Sequence, residues 1–225
     1  MFSSESLRYI FQFLKERSII INTVASTTTL DSRSLINNDF YTDNDIGAIG
    51  EEWFIEMTKI RNRSFYKCNT RASMSLDIDF VEDKEISEIN DIEVLKNYEG
   101  LKVEVKTDDT NYYRTNLVFE LVSNTIKNTK GWALITECDL LVYAFPKKDR
   151  VYTLDGKNTR AFIESIQNDS NYKKNTRSTL DHYGRKLYSS IAVLVSLEEL
   201  VKKNLVLQVF DFKNKEEIKN YIECN

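Results

Sequence analysis

Two short runs, MSLDIDF at residues 74–80 and LKVEVKT at 101–107, place carboxylates and lysines at alternate positions. Side chains alternate across a strand, so Lys102, Glu104 and Lys106 share one face of the second run and Val103 and Val105 the other. Glu104 and Lys106 then stand about 7 Å apart along that face. A carboxylate and an ammonium on a central strand are costly to bury unless they are paired or used. Upstream, Asp77 and Asp79 are expected on one face of a strand, with Leu76, Ile78 and Phe80 on the other. If the two runs pair antiparallel, both apolar faces seek the core, the polar faces coincide, and Asp79 and Glu104 converge. Oxygen donors so grouped suit a hard divalent cation, Mg2+ or Mn2+. Such an ion acidifies a bound water and screens charge developing on a phosphoryl oxygen; Lys106 could orient that water or stabilise that charge. Asp77 stands as the alternative to Asp79.

A further carboxylate comes from GAIGEEWF at residues 47–54. A helix is expected over about 45–62, with Ile46, Ile49, Trp53, Met57 and Ile60 in one stripe and Asp45 as its cap. Its glycines allow close approach to a sheet or a nucleic-acid backbone. Glu51 or Glu52 could reach the ion, and the helical wheel sets Glu52 and Glu56 nearer the apolar stripe than Glu51. Glu120 interrupts the apolar run LVFELV. It is either an accessory group, holding Lys106 or a metal-bound water, or an edge-strand or capping acid.

In this order and on these elements, GAIGEEWF, the Asp of SLDIDF, EVK and GWALITECDLLVYAF resemble the PD-(D/E)XK nuclease superfamily. This is the restriction-endonuclease-like fold of Holliday-junction resolvases and many phage nucleases. The resemblance covers about residues 45–165. It implies a Gly-x-x-x-Glu helix pattern on Gly47 and Glu51, a metal Asp at Asp79 and the ExK pair at Glu104 and Lys106. Gly131, Trp132 and Asp139 look like the family's structural continuation. The literal Pro-Asp is missing, with Ile at residue 78, and the 24 residues between Asp79 and Glu104 mark 82–99 as an insertion. The implied activity is a Mg2+- or Mn2+-dependent endo- or exonuclease that hydrolyses phosphodiester bonds, in DNA in preference to RNA. Cutting both strands favours a two-fold homodimer. The alternatives are a catalytically inactive nucleic-acid-binding or regulatory protein on the same fold, an RNase, and an α/β domain whose acidic strand faces are merely solvated.

Other chemistries are narrowed by composition. The single histidine, His182, rules out a His-rich zinc site and would have to serve any Ser-His-Asp triad. Three cysteines without a CxxC pair argue against a disulfide scaffold and fit idle thiols in a reducing cytoplasm. The mean hydropathy of −0.43 and the lack of a long apolar run leave no membrane span, and the charges in the first 17 residues do not read as a secretory signal. Richness in Asn, Ile and Lys hints at an AT-rich genome and, with the resemblance, at a phage or mobile element.

The net charge of −4 is unevenly spread. Residues 1–146 carry 16 basic and 24 acidic side chains, whereas 147–186 carry ten and five. Within that basic stretch Lys147, Lys148, Lys173, Lys174, Arg177, Arg185 and Lys186 are candidate phosphate contacts, interleaved with Tyr172 and Tyr183.

The elements that must position these residues read as helix, meandering strands, helix and strand: an α/β (α+β) domain with a central mixed sheet flanked by helices. Residues 1–44 are expected to hold a helix over 4–17 and a polar loop. The nuclease-like core spans 45–165, and 166–225 form a strand and helix extension packed on it. Strands are expected at 64–69, 74–81, 101–107, 115–122, 140–145, 151–154, 187–195 and 205–212. Helices are expected near 157–167, 196–203 and 214–223, with an inserted helix or hairpin tip within 82–99.

Overall fold

A computed structural model describes residues 43–108, 116–180 and 183–218. The expected helix over 4–17, the polar loop after it, His182 and Cys224 lie outside these residues. Helix α1 (Asp43–Ile60) begins two residues before Asp45, which is therefore inside the first turn instead of capping it. Its stripe of Ile49, Trp53 and Met57 is buried, with Phe54 beside them, while Ile60 at the end is exposed. After β1 (Tyr66–Lys67), the chain forms a short helix α2 (Arg71–Leu76) where a strand is expected. Thr70 decides this: its hydroxyl accepts from the Ser73 N–H and the Ser73 hydroxyl accepts from the Thr70 N–H, a reciprocal cap that outweighs the period-2 pattern of MSLDIDF. The helix ends at Asp77, in the left-handed region at φ 49°, and only Phe80–Val81 remain as strand β2. Asp77 and Asp79 therefore do not share one strand face.

The acidic insertion folds as two short helices, α3 (Lys84–Ser87) and α4 (Ile92–Lys96), capped by Asp83 and Asp91. Strands β3 (Lys102–Thr107), β4 (Asn116–Asn124) and β5 (Thr129–Lys130) lead to α5 (Trp132–Ile135). Next come β6 (Leu140–Phe145), β7 (Arg150–Asp155) and α6 (Gly156–Ile166). The remainder is β8 (Lys174–Leu180), β9 (Lys186–Ser196), α7 (Leu197–Lys202), β10 (Val206–Asp211) and β11 (Glu216–Glu217). Strand β8 falls in a polar basic stretch that carries no apolar alternation. The helix expected from 214 gives way, up to residue 218, to a turn and β11. Asp211 accepts from the Asn214 backbone and side-chain amides, and Lys215 adopts φ 54°, so the chain reverses into a hairpin.

The strands form a seven-stranded mixed sheet, ordered β1-β2-β3-β6-β7-β10-β11, and a four-stranded antiparallel sheet, ordered β5-β4-β9-β8. In the large sheet β3 and β6 are parallel and the other neighbours antiparallel. This is the expected α/β architecture with a central mixed sheet and flanking helices. The main core lies between the two sheets and α6: Leu117 and Phe119 from β4 meet Tyr143 and Phe145 from β6, Ile163, and Val193 and Val195 from β9. The segment after residue 165 is woven into both sheets, with β9 between β4 and β8 and β10 beside β7. No helix among the described residues is long and apolar enough to cross a membrane.

Candidate active site

Strand β2 pairs antiparallel with β3, Phe80 opposite Val103 and Val81 opposite Lys102, as the alternation of the two runs requires. One step before this ladder, the Asp79 N–H donates to the Val103 carbonyl at 2.9 Å. The Asp79 carboxylate turns back and accepts from the Val105 N–H at 2.8 Å. The side chain thus replaces a ladder partner and is fixed against β3 at the level of Glu104 and Lys106.

Glu104 is 2% exposed, its Oε1 bonded to the Lys106 ammonium. Its Oε2 is buried and finds no hydrogen-bond partner among the described residues. Lys106 also lies 3.2 Å from the Asp77 Oδ2 and sits over the Trp132 ring, 4.8 Å from its centroid. Burial pushes the Glu104 carboxyl well above the usual carboxylate range, Asp79 and Asp77 add to the shift, and Lys106 opposes it. Asp79 is also raised, by burial first, against the pull of the Val105 amide and Lys106. Burial pulls the Lys106 ammonium down, but Glu104, Asp77 and Asp79 outweigh it and raise its pKa. Every shifted group here holds its proton more tightly than in water: the cluster has surplus negative potential in a low-dielectric setting.

Helix α1 brings a third element against this strand. A Cβ on Gly50 would collide with the Thr107 hydroxyl and lie 3.3 Å from the Ala144 Cβ, so glycine sets the contact with β3 and β6. Gly47, by contrast, faces open space. Glu51 is half-buried, pairs with Lys67 and acts electrostatically on Asp79. Glu52 is exposed, against the wheel expectation, and Glu56 pairs with Lys215 at 2.8 Å. Asp77 is brought to the cluster by the left-handed turn that ends α2.

Glu120 lies on β4 between β5 and β9, and so is not an edge-strand acid. Its carboxylate accepts from the Trp132 N–H, at the start of α5, and it acts electrostatically on Lys106 and Asp77; burial raises its pKa. Gly131 makes room for this, because a Cβ there would collide with the Glu120 carbonyl. Asp139 plays a supporting part instead: it accepts from the Lys102 N–H at 2.9 Å and pairs with the buried Lys102 ammonium at 3.3 Å and with Lys157 at 2.6 Å.

The basic candidates divide between two places. Lys147 and Lys148 lie in a 3-10 turn after β6, with Lys148 over the Phe145 ring at 5.0 Å. Lys173, Lys174, Arg177, Arg185 and Lys186 are exposed on and around β8 and the start of β9. Two groups at the site escape sequence reasoning. Lys67, the partner of Glu51, sits in a run with no distinguishing pattern. Trp132 is legible only as part of the structural continuation, although an aromatic directly after glycine, downstream of a strand carrying an acid, is a usable signal.

Among the described residues no three His, Cys, Asp or Glu side chains are grouped so as to hold a metal ion as they stand. The donor chemistry nonetheless fits a hard divalent cation: Glu51, Asp77, Asp79 and Glu104 offer oxygen alone, and one buried Glu104 oxygen is unsatisfied. Comparison of the chain with protein-family models, with curated proteins and with solved structures finds no match.

Proposed function

We propose that the protein is a metal-dependent nuclease of the PD-(D/E)XK type, hydrolysing phosphodiester bonds of nucleic acid, DNA before RNA. The supporting observation is that Asp79, held on the Val105 amide just before β2, acts electrostatically on the bonded Glu104–Lys106 pair of β3, in which one buried Glu104 oxygen is unsatisfied. Asp79 and Glu104, with Glu51 directly or through water, would hold Mg2+ or Mn2+. When bound, the ion supplies Lewis-acid polarisation of a phosphoryl oxygen and a more acidic water. Lys106, kept charged by three carboxylates, orients the attacking water and stabilises negative charge in the transition state. Asp77 and Glu120 hold Lys106 in place electrostatically. Cleavage of both strands of a duplex would need two copies, as in a homodimer.

Lys106 in contact with Glu104, and the lack of a ready-made three-ligand group among the described residues, favour one second reading: a catalytically inactive nucleic-acid-binding protein. The test is cleavage of single- and double-stranded DNA and RNA with Mg2+, Mn2+ or EDTA, using wild type, Lys106→Ala and Asp79→Ala. Metal-dependent cleavage that falls by about 100-fold or more in both variants is expected. No cleavage by the wild type with either metal would leave the inactive binder.

A further inference from the structure

Lys106 stands among more negative charge than one ammonium can balance. It bonds the Glu104 Oε1, lies 3.2 Å from the Asp77 Oδ2 and is drawn electrostatically to Asp79. The Glu104 Oε2 is buried without a hydrogen-bond partner among the described residues, and so, despite its contact with Lys106, is the Asp77 Oδ2. These two oxygens come from different elements: Glu104 from the middle of β3, Asp77 from the left-handed turn that ends α2. A buried carboxylate oxygen left without a hydrogen bond is costly, and two beside one cation point to a ligand that would use both. Asp79 is different, because one of its oxygens is already spent on the Val105 N–H.

Ionised together, Asp77, Asp79 and Glu104 exceed Lys106 by two charges, which is the charge of one divalent cation. Lys106 also has a second set of partners. It lies over the Trp132 ring, 4.8 Å from the centroid, and Glu120 acts on it electrostatically. Neither interaction involves Glu104 or Asp77. The Lys106 side chain is 24% exposed, so packing alone does not fix it. A flexible four-carbon stem lets an ammonium shift between neighbouring partners while the strand stays in place.

Building on the nuclease reading above, we propose that the Lys106 ammonium holds the place of the divalent cation in the metal-free protein, and that Asp77 is a ligand of that cation beside Glu104. Lys106 gives up its contacts with Glu104 and Asp77 when Mg2+ or Mn2+ enters, and keeps those with Trp132 and Glu120. The two orphaned oxygens are hard donors of the kind such ions take. The exchange accounts for the lack of a ready three-ligand group among the described residues, since the ammonium contacts both carboxylates that would close on the ion. It also orders events: Lys106 is free to act on a water only after the cation has arrived.

Metal binding by the full chain, without nucleic acid, tests this apart from cleavage. Mn2+ is titrated and the free ion is read by electron paramagnetic resonance, with Mg2+ as competitor. Lys106→Met removes the resident charge and should bind Mn2+ about tenfold or more tightly than wild type. Lys157→Met removes an equal charge from an exposed pair with Asp139 and should stay within about twofold of wild type, because solvent and salt screen it. Lys106→Met/Asp77→Asn should lose the gain, whereas Lys106→Met/Glu120→Gln, which removes a neighbouring charge but no ligand, should keep most of it. Wild type supplies a reading that needs no variant to fold: acetylation of Lys106 by acetic anhydride, quantified by mass spectrometry. An amine released from two carboxylates beside a divalent ion gives up its proton more readily, so labelling at fixed pH should be faster in saturating Mg2+ than in EDTA. Equal Mn2+ affinity in wild type and Lys106→Met, the same gain in Lys157→Met, a gain that survives Asp77→Asn, or labelling no faster with Mg2+ would overturn the exchange. Cleavage without the gain would leave the nuclease and remove the exchange; the gain without wild-type cleavage would do the reverse.

Discussion

Lys106 compensates three acids, and its removal strands them. Lys106→Met should leave Glu104 buried beside Asp77 and Asp79 without a cation, destabilising the fold by about 3 kcal/mol near neutral pH. The loss should depend on pH in a definite direction. A carboxyl whose folded pKa lies above its unfolded value contributes stability fully present below the ordinary carboxylate range, and loses it as pH rises through the shifted value. Glu104 and Asp79 are both of this kind. The variant should therefore recover toward wild-type stability as pH falls from neutral toward the ordinary carboxylate range, read from urea midpoints at fixed slope. Glu104→Gln should show the complement, with wild type losing ground to the variant as pH rises. Glu104 and Lys106 are legible in sequence because strand alternation is a local rule. Asp79 is legible as a residue but not in its geometry: its bond to the Val105 amide depends on a helix ending at Asp77, and that helix exists because of a cap at Thr70 and Ser73.

At the level of elements, the contact of α1 with the large sheet rests on one missing methyl group. Gly50→Ala should cost about 1–3 kcal/mol by overpacking against Thr107 and Ala144. Thr107→Ala, which removes the colliding oxygen, should restore part of that loss in a double-mutant cycle of thermal melts. A second latch closes β10 on β7, where Arg150 donates to Asp211 at 2.8 Å and Asp211 caps the turn into β11. Burial would raise the Asp211 carboxyl, but the Asn214 amide and Arg150 outweigh it and hold the group below its ordinary value. Its contribution is thus present above the usual aspartate range and lost as pH falls through the depressed value. Asp211→Ala should destabilise by about 1–3 kcal/mol at neutral pH, with the difference shrinking in acid. Helix stripes and apolar strand runs make most such elements readable. β8 is not readable, because a strand exposed on both faces has no burial pattern to write into its sequence.

Across the whole molecule, sequence order and spatial order diverge. A boundary near residue 165 looks natural along the chain, yet β9 supplies Val193 and Val195 to the core that β4 and β6 also fill. A fragment ending at residue 165 should therefore lack a cooperative thermal transition by circular dichroism, whereas 38–225 should show one. Long-range pairings of this sort leave no trace in local periodicity.

The outer strand β8 has another consequence. A seven-residue edge exposed on both faces is a template for edge-to-edge pairing between copies, and Lys174 and Arg177 are the kind of charges that keep such an edge from self-associating. Neutralising them should raise the tendency to aggregate at high protein concentration, whereas replacing them with glutamate should keep copies apart by like-charge repulsion. Colloidal behaviour and anion recognition would then part company at one strand: either sign of charge preserves solubility, and only the positive sign welcomes phosphate.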